Sequence, residues 1–80
     1  MKKGMVVKVY STPVCHWCVK AKEFLKEHKI KFEEINVAAD RKAAEEMVKK
    51  SGQMGVPVIE INGKIIIGYD EDEMMDALGL

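Results

Sequence analysis

A run of β-branched residues, Val6, Val7 and Val9, is followed by an amphipathic stretch from about His16 to Lys29 and then by a second apolar run, Ile30 to Val37. That succession constrains the fold more than any other feature. Two strands of one sheet joined by a helix lie parallel, with a right-handed crossover. Val6, Val7 and Val9 predict a first strand, Met5 to Tyr10, buried on both faces as in the middle of a sheet. Ser11 to Val14 read as a loop, because Pro13 cannot continue a ladder. Along the helix, Cys18, Ala21, Phe24, Leu25 and His28 trace the apolar side, and lysines and glutamates cover the other. His28 reads as a solvated last-turn residue favoured by the helix dipole.

The imperfect alternation of Ile30, Phe32, Ile35 and Val37 predicts the second strand. Asp40 is placed as an N-cap, and Ala43, Ala44, Met47 and Val48 recur at helical spacing up to Ser51-Gly52, where the glycine stops the helix. Val58 to Ile61 and Lys64 to Ile67 flank Asn62-Gly63, a strong hairpin signal. After Gly68-Tyr69, the acidic run Asp70 to Glu73 suits a helix N-terminus, and Met74, Met75, Ala77 and Leu78 give that helix an apolar face. The methionines at helical spacing read as core filler. The order βαβαββα describes an α/β fold with a central mixed four-stranded sheet flanked by helices. At 80 residues the chain is expected to form one domain, 1–80, able to bury about 60% of its unfolded surface.

Both cysteines of the chain fall at one point, Cys15-His16-Trp17-Cys18, where the first strand gives way to the first helix. Residues three apart on a helix lie one turn from each other, so the two sulfurs can close a disulfide without moving the backbone. A sulfur on the first turn faces unpaired N–H groups and the positive end of the helix dipole, which favour thiolate over thiol. Cys15 is therefore the expected nucleophile. Cys18, in register with Ala21 and Leu25, is expected to be buried and to serve as the resolving thiol. His16 beside Cys15 could act as a cation that stabilises the thiolate and makes the protein more oxidising, or could point to solvent. Trp17 and Tyr69 read either as surface aromatics or as the rim of a substrate groove.

A metal is the rival reading of the pair. Zinc takes four ligands, and beyond the cysteines only His16 and His28 remain, with His28 about 15 Å of helical rise from Cys18. A dimer sharing two cysteine pairs, or an iron–sulfur bridge, would satisfy the count. The loop between the cysteines is too short to staple the fold, so chemistry explains the pair better than stability does. Thirteen basic and thirteen acidic residues cancel, and the scattered lysines form no stripe for nucleic acid. No apolar run reaches the length of a signal peptide or a membrane span, so neither nucleic acid nor membrane is an expected partner and a reducing cytoplasm is the expected setting.

Taken together, the first strand, the turn Thr12-Pro13-Val14-Cys15-His16-Trp17-Cys18, the stretch Ser51-Gly52-Gln53-Met54-Gly55-Val56-Pro57, and Gly68-Tyr69-Asp70 fall in the order seen in glutaredoxins. From Met5 to Leu78 the chain resembles a small glutaredoxin-like protein. The resemblance implies the thioredoxin fold and thiol-disulfide oxidoreductase activity through Cys15 and Cys18, on disulfide-containing proteins or glutathione mixed disulfides. It implies a cis Pro57 facing the active cysteines, and a Val56 backbone that hydrogen-bonds extended substrate. Gln53 matches a contact to the glycine carboxylate of glutathione, and Asp70 a contact to its γ-glutamyl end. Thr12 stands where the family often has a basic residue, His16 where it usually has proline, and Ile67-Gly68 where paired glycines are usual. Similar small redoxins of ribonucleotide reductase systems draw electrons from thioredoxin reductase, so glutathione and that reductase are both expected electron sources. No tightly bound cofactor or metal is expected, and the protein is expected to act as a monomer.

Overall fold

The computed structural model describes residues 6–79. Its elements are β1 (Val7–Ser11), α1 (His16–Glu27), β2 (Glu33–Asn36), α2 (Arg41–Ser51), β3 (Val58–Ile61), β4 (Lys64–Ile67) and α3 (Glu71–Leu78), the expected βαβαββα order. The four strands form one sheet in the order β2-β1-β3-β4. β1 runs parallel to β2, and the other two pairings are antiparallel.

The first strand differs from expectation at both ends. Met5 lies outside the described residues, and Val6 precedes the strand with its side chain 55% exposed. Val6 instead clasps the hairpin: its N–H donates to Asn62 Oδ1 (3.0 Å), and Asn62 N–H donates to Val6 C=O (2.9 Å). Ser11, read as loop, is a buried strand residue opposite Asn36, and its carbonyl accepts from Val37 N–H (2.9 Å). The parallel ladder with β2 carries the strand one residue further than a propensity argument would.

The end of α1 also differs, because the helix closes before Lys29. Lys29 takes a left-handed φ of 58°, its N–H reaches Lys26 C=O (3.0 Å), and Ile30 N–H reaches Leu25 C=O (2.9 Å). This is a Schellman closure with a non-glycine residue at the left-handed position. Ile30 and Phe32 are spent on that exit and pack against the core, so β2 starts only at Glu33 and is an edge strand. His28 caps the helix: its Nδ1 meets Phe24 C=O at 2.9 Å, its ring lies 4.3 Å from Phe24, and its side chain is exposed rather than part of the apolar face.

Asp40 caps α2 as read, and Asp70, read only as part of an acidic helix start, caps α3. Asp40 accepts from Ala43 N–H and Asp70 from Glu73 N–H, both at 3.1 Å. Asn62 and Gly63 have φ values of 49° and 92°. Two positive values in a two-residue loop are those of a type I′ hairpin, whose twist matches that of the strands.

The helices divide between the faces of the sheet. α1 and α3 cover one face, where Val7, Val9, Ala21, Phe24, Leu25, Ile59, Ile61, Ile66, Met74 and Leu78 form a continuous core. Each fully buried Leu or Ile there contributes about 1.5–3 kcal/mol. α2 alone covers the other face, over a small cluster of Tyr10, Met47 and Val58. Lys50 strengthens that thinner layer by donating to Tyr10 Oη (3.3 Å) and to Glu60 Oε1 (2.8 Å). No helix among the described residues is long and apolar enough to cross a membrane.

Candidate active site

The site is built where β1 ends and α1 begins. Cys15 is the N-cap of α1: its backbone is extended, and its Sγ accepts a hydrogen bond from Cys18 N–H at 3.1 Å. Serine, threonine and aspartate usually supply that acceptor, so here a sulfur occupies the point on which the helix's free N–H groups converge. The turn is closed by Cys15 N–H on Thr12 C=O (3.4 Å) and Val19 N–H on Cys15 C=O (3.2 Å). Both cysteines are free. Cys15 is half-buried, while Cys18 is 0% exposed.

Burial, followed by the interaction with the Cys15 sulfur, pushes the Cys18 thiol from an ordinary 9.0 up to about 12, and the Thr12 backbone and Lys22 oppose the shift. A thiol so placed stays protonated in neutral water, whereas the half-open Cys15 can be reached from outside. The two sulfurs therefore differ in access, though only two residues separate them.

Beside this turn lies a shallow groove of about 240 Å³ lined by Trp17, Val56, Pro57, Gly68 and Tyr69. The Val56–Pro57 bond is cis, and Pro57 C=O accepts from Gly68 N–H at 2.8 Å. Gly68 has a φ of 80°, a conformation that side-chain-bearing residues rarely adopt. Trp17, 54% exposed, stacks on Tyr69 with centroids 6.1 Å apart and planes at 22°. Tyr69 Oη donates to Glu71 Oε2 (3.0 Å), and burial, then that carboxylate, holds the phenol above its usual range. Trp17 and Tyr69 are thus a groove rim, one of the two readings their positions allowed.

Five of the eleven expected site residues line this groove. The others are placed differently. Thr12 contributes its backbone carbonyl to the cysteine turn. His16 sets its ring edge-on to Trp17 (5.8 Å, 76°), and no hydrogen bond among the described residues joins it to Cys15. Asp70 uses a carboxylate oxygen to cap α3. Gln53 turns its carboxamide onto Gly55, accepting from Gly55 N–H (2.8 Å) and donating to Gly55 C=O (3.0 Å).

Two features escaped the sequence reading. Lys20 Nζ sits 5.9 Å from the centre of the Trp17 ring; its i, i+3 spacing from Trp17 was the available signal. Ser51 and Gly55 fasten Gln53, for which the short polar-glycine alternation Ser51-Gly52-Gln53 was a hint of local side-chain-to-backbone bonding. A larger cavity of about 480 Å³, bounded by Lys8, Glu33, Asp40 and Lys49, lies between β2 and α2 and contains neither cysteine. Its lining is charged and open, and the chemistry is not there.

A glutaredoxin family model matches residues 7–66, from β1 through most of β4. The chain belongs to the glutaredoxin family. Among its relatives, a glutaredoxin-like 8.6 kDa protein in the rubredoxin operon of Clostridium pasteurianum is 52% identical over 69 residues, covering 86% of this chain and 92% of the relative. Glutaredoxin 3 of Escherichia coli K12 is 34% identical over 73 residues, covering 91% of this chain and 88% of that protein. The crystal structure of a glutaredoxin from Archaeoglobus fulgidus superposes with a TM-score of 0.84 at 28% identity, over 90% of this chain and 84% of that one. The α/β architecture is accordingly the thioredoxin fold of glutaredoxins. This glutaredoxin keeps the Cys-x-x-Cys pair at the strand-to-helix junction, with the cis-proline loop across the groove.

Proposed function

We propose that this glutaredoxin is a thiol-disulfide oxidoreductase in which Cys15 is the nucleophile and Cys18 the resolving thiol. The observation that carries the reading is the inequality of the two sulfurs: one half-open at the N-cap and hydrogen-bonded by Cys18 N–H, the other fully buried one turn below. In the first step the Cys15 thiolate attacks one sulfur of a substrate disulfide. A mixed disulfide forms with Cys15, and the substrate's other sulfur leaves as thiolate. In the second step the Cys18 sulfur attacks Cys15 Sγ, its proton passing to the departing substrate thiolate, so that the 15–18 disulfide replaces the mixed one. Two electrons have moved to the substrate.

Buried Cys18 is poorly ionised on its own, which suits a thiol that acts only when a mixed disulfide is already beside it. The apolar groove of Trp17, Val56, Pro57 and Tyr69 gives an extended disulfide-bearing peptide a place to lie. The oxidised pair would be reset by two glutathione molecules or by NADPH through thioredoxin reductase, with no cofactor resident in the protein. A reducing, cytoplasmic setting would hold it in the dithiol form.

The test is a pair of serine variants assayed on two substrates. Cys18→Ser should retain reduction of a glutathione mixed disulfide, which needs only the nucleophile, and lose reduction of a protein disulfide. Cys15→Ser should lose both. Equal loss in both assays for both variants would refute the assignment of roles. Supplying the oxidised protein with glutathione and its reductase, or with thioredoxin reductase and NADPH, identifies the electron source.

A further inference from the structure

The segment that delivers Val56 and Pro57 to the groove is held almost without backbone hydrogen bonds. α2 ends at Gly52, whose N–H bonds Val48 C=O (2.7 Å), and β3 begins at Val58. Between them, among the described residues, side chains do the fastening. The Ser51 hydroxyl lies between Met47 C=O (2.7 Å) and Gln53 C=O (2.9 Å), donates to one of them, and accepts from Gln53 N–H at 3.4 Å. The Gln53 carboxamide then closes on Gly55 from both sides, its oxygen on the N–H and its nitrogen on the C=O. Gly55 is shaped for this: a Cβ at that position would lie 2.7 Å from Gln53 Oε1.

We infer that Gln53 is a positioning residue, which grips Gly55 and thereby sets where the Val56–Pro57 edge of the substrate groove stands. The inference rests on the oxidoreductase reading above and adds a role through the loop to the glutathione contact that the resemblance implies for Gln53. Glutamine fits the role because one planar group both donates and accepts. Glutamate can receive the Gly55 N–H but sets a carboxylate against the Gly55 carbonyl. A displaced binding edge holds the substrate less well in the ground state and the transition state alike, so loosening this grip should appear as a raised KM.

The experiment compares Gln53→Ala, Gln53→Glu, Gly55→Ala and the Gln53→Ala/Gly55→Ala double variant with the parent. Each is assayed on a protein disulfide and on a small glutathione mixed disulfide. Each single change should raise KM for both substrates by roughly tenfold, with kcat nearly constant and the reaction of Cys15 with a small alkylating agent unchanged. The double variant should be no worse than either single one, because both break the same contact. Amide exchange at Gly55 should be at least tenfold faster in Gln53→Ala than in the parent. A Gly55→Ala protein with parental KM, an effect confined to the glutathione substrate, or Gly55 protection that survives Gln53→Ala would overturn the inference. If the parent turns over neither substrate, the oxidoreductase reading fails instead. The exchange measurement then still decides whether Gln53 holds the loop.

Discussion

Replacing Cys15 by serine leaves Cys18 as the only thiol of the chain and exposes the consequence of its burial to direct measurement. At pH 8 a thiol of pKa about 12 is ionised to roughly one part in ten thousand, against roughly one in ten for an ordinary thiol at 9.0. The loss in thiolate is therefore about a thousandfold. A more basic thiolate is a better nucleophile, and a Brønsted slope near 0.4–0.5 over that interval returns roughly 15- to 30-fold. Reaction with a small aromatic disulfide should then be about 30- to 60-fold slower than that of an unstructured cysteine peptide, before any steric shielding of the fully buried sulfur. Burial, the larger cause of the shift, survives the substitution, whereas the interaction with the Cys15 sulfur is lost, so about 30- to 60-fold is the upper bound on the slowing from acidity. The rate should rise to the peptide's in denaturing urea. A folded Cys15→Ser protein that reacts within about threefold of the peptide at pH 8 would refute the account of Cys18 as a shielded, protonated resolving thiol. The same shift has a stability consequence of defined sign. The folded thiol holds its proton to higher pH than the unfolded one, so its contribution is complete below the ordinary thiol range and is lost as pH climbs from 9.0 toward about 12. The interval sets a ceiling of about 4 kcal/mol.

Lys50→Met should destabilise the fold by about 2 kcal/mol, since it leaves the buried Tyr10 hydroxyl without a donor and removes a partly exposed ion pair with Glu60. Adding Tyr10→Phe should recover part of that loss, which urea titration of the four proteins in the cycle measures. Glu60, then Tyr10, holds the Lys50 ammonium protonated above the usual lysine range, so this stabilisation should be constant through neutral pH and fade in strong alkali. Asp40→Ala and Asp70→Ala each remove a helix N-cap and should each cost about 1 kcal/mol, a fall in Tm of about 4–8 °C by thermal melting. An Asp70→Ala protein of parental Tm would show that this carboxylate does not cap α3.

The parts of the fold legible in the sequence are those set by periodicity and by caps. Alternation and helical spacing found every element, and Asp40, Asn62-Gly63 and the acidic run Asp70 to Glu73 each marked a boundary by a local mechanism that needs no tertiary information. The errors lie where a neighbour overrides local preference. Ser11 looks like a loop residue but is carried into β1 by the carbonyl it offers to Val37. Ile30 and Phe32 look like strand residues but are drawn to the core by the helix exit at Lys29. In the site, Cys18 was legible because it shares a helical stripe with Ala21 and Leu25. The closure of Gln53 on Gly55 was not, because it depends on a loop conformation for which hydrophobic pattern carries no signal.

The two sides of the groove are held by different forces. Cys18 belongs to α1, whose Ala21, Phe24 and Leu25 are set into the large core under α3, and close packing there leaves the cysteine turn little freedom. The Val56–Pro57 side follows α2, whose buried apolar residues are only Ala43 and Met47. What secures that side is polar: Lys50 on Tyr10 and Glu60, Ser51 beneath Gln53, and Gln53 on Gly55. Hydrogen bonds of this kind are individually modest, so the position of that edge depends on all of them being in place together. Cys15 stays on the rigid half. The division of apolar and polar support between α1 and α2 leaves the cysteine turn insensitive, and the Val56–Pro57 edge sensitive, to the loss of a single polar side chain.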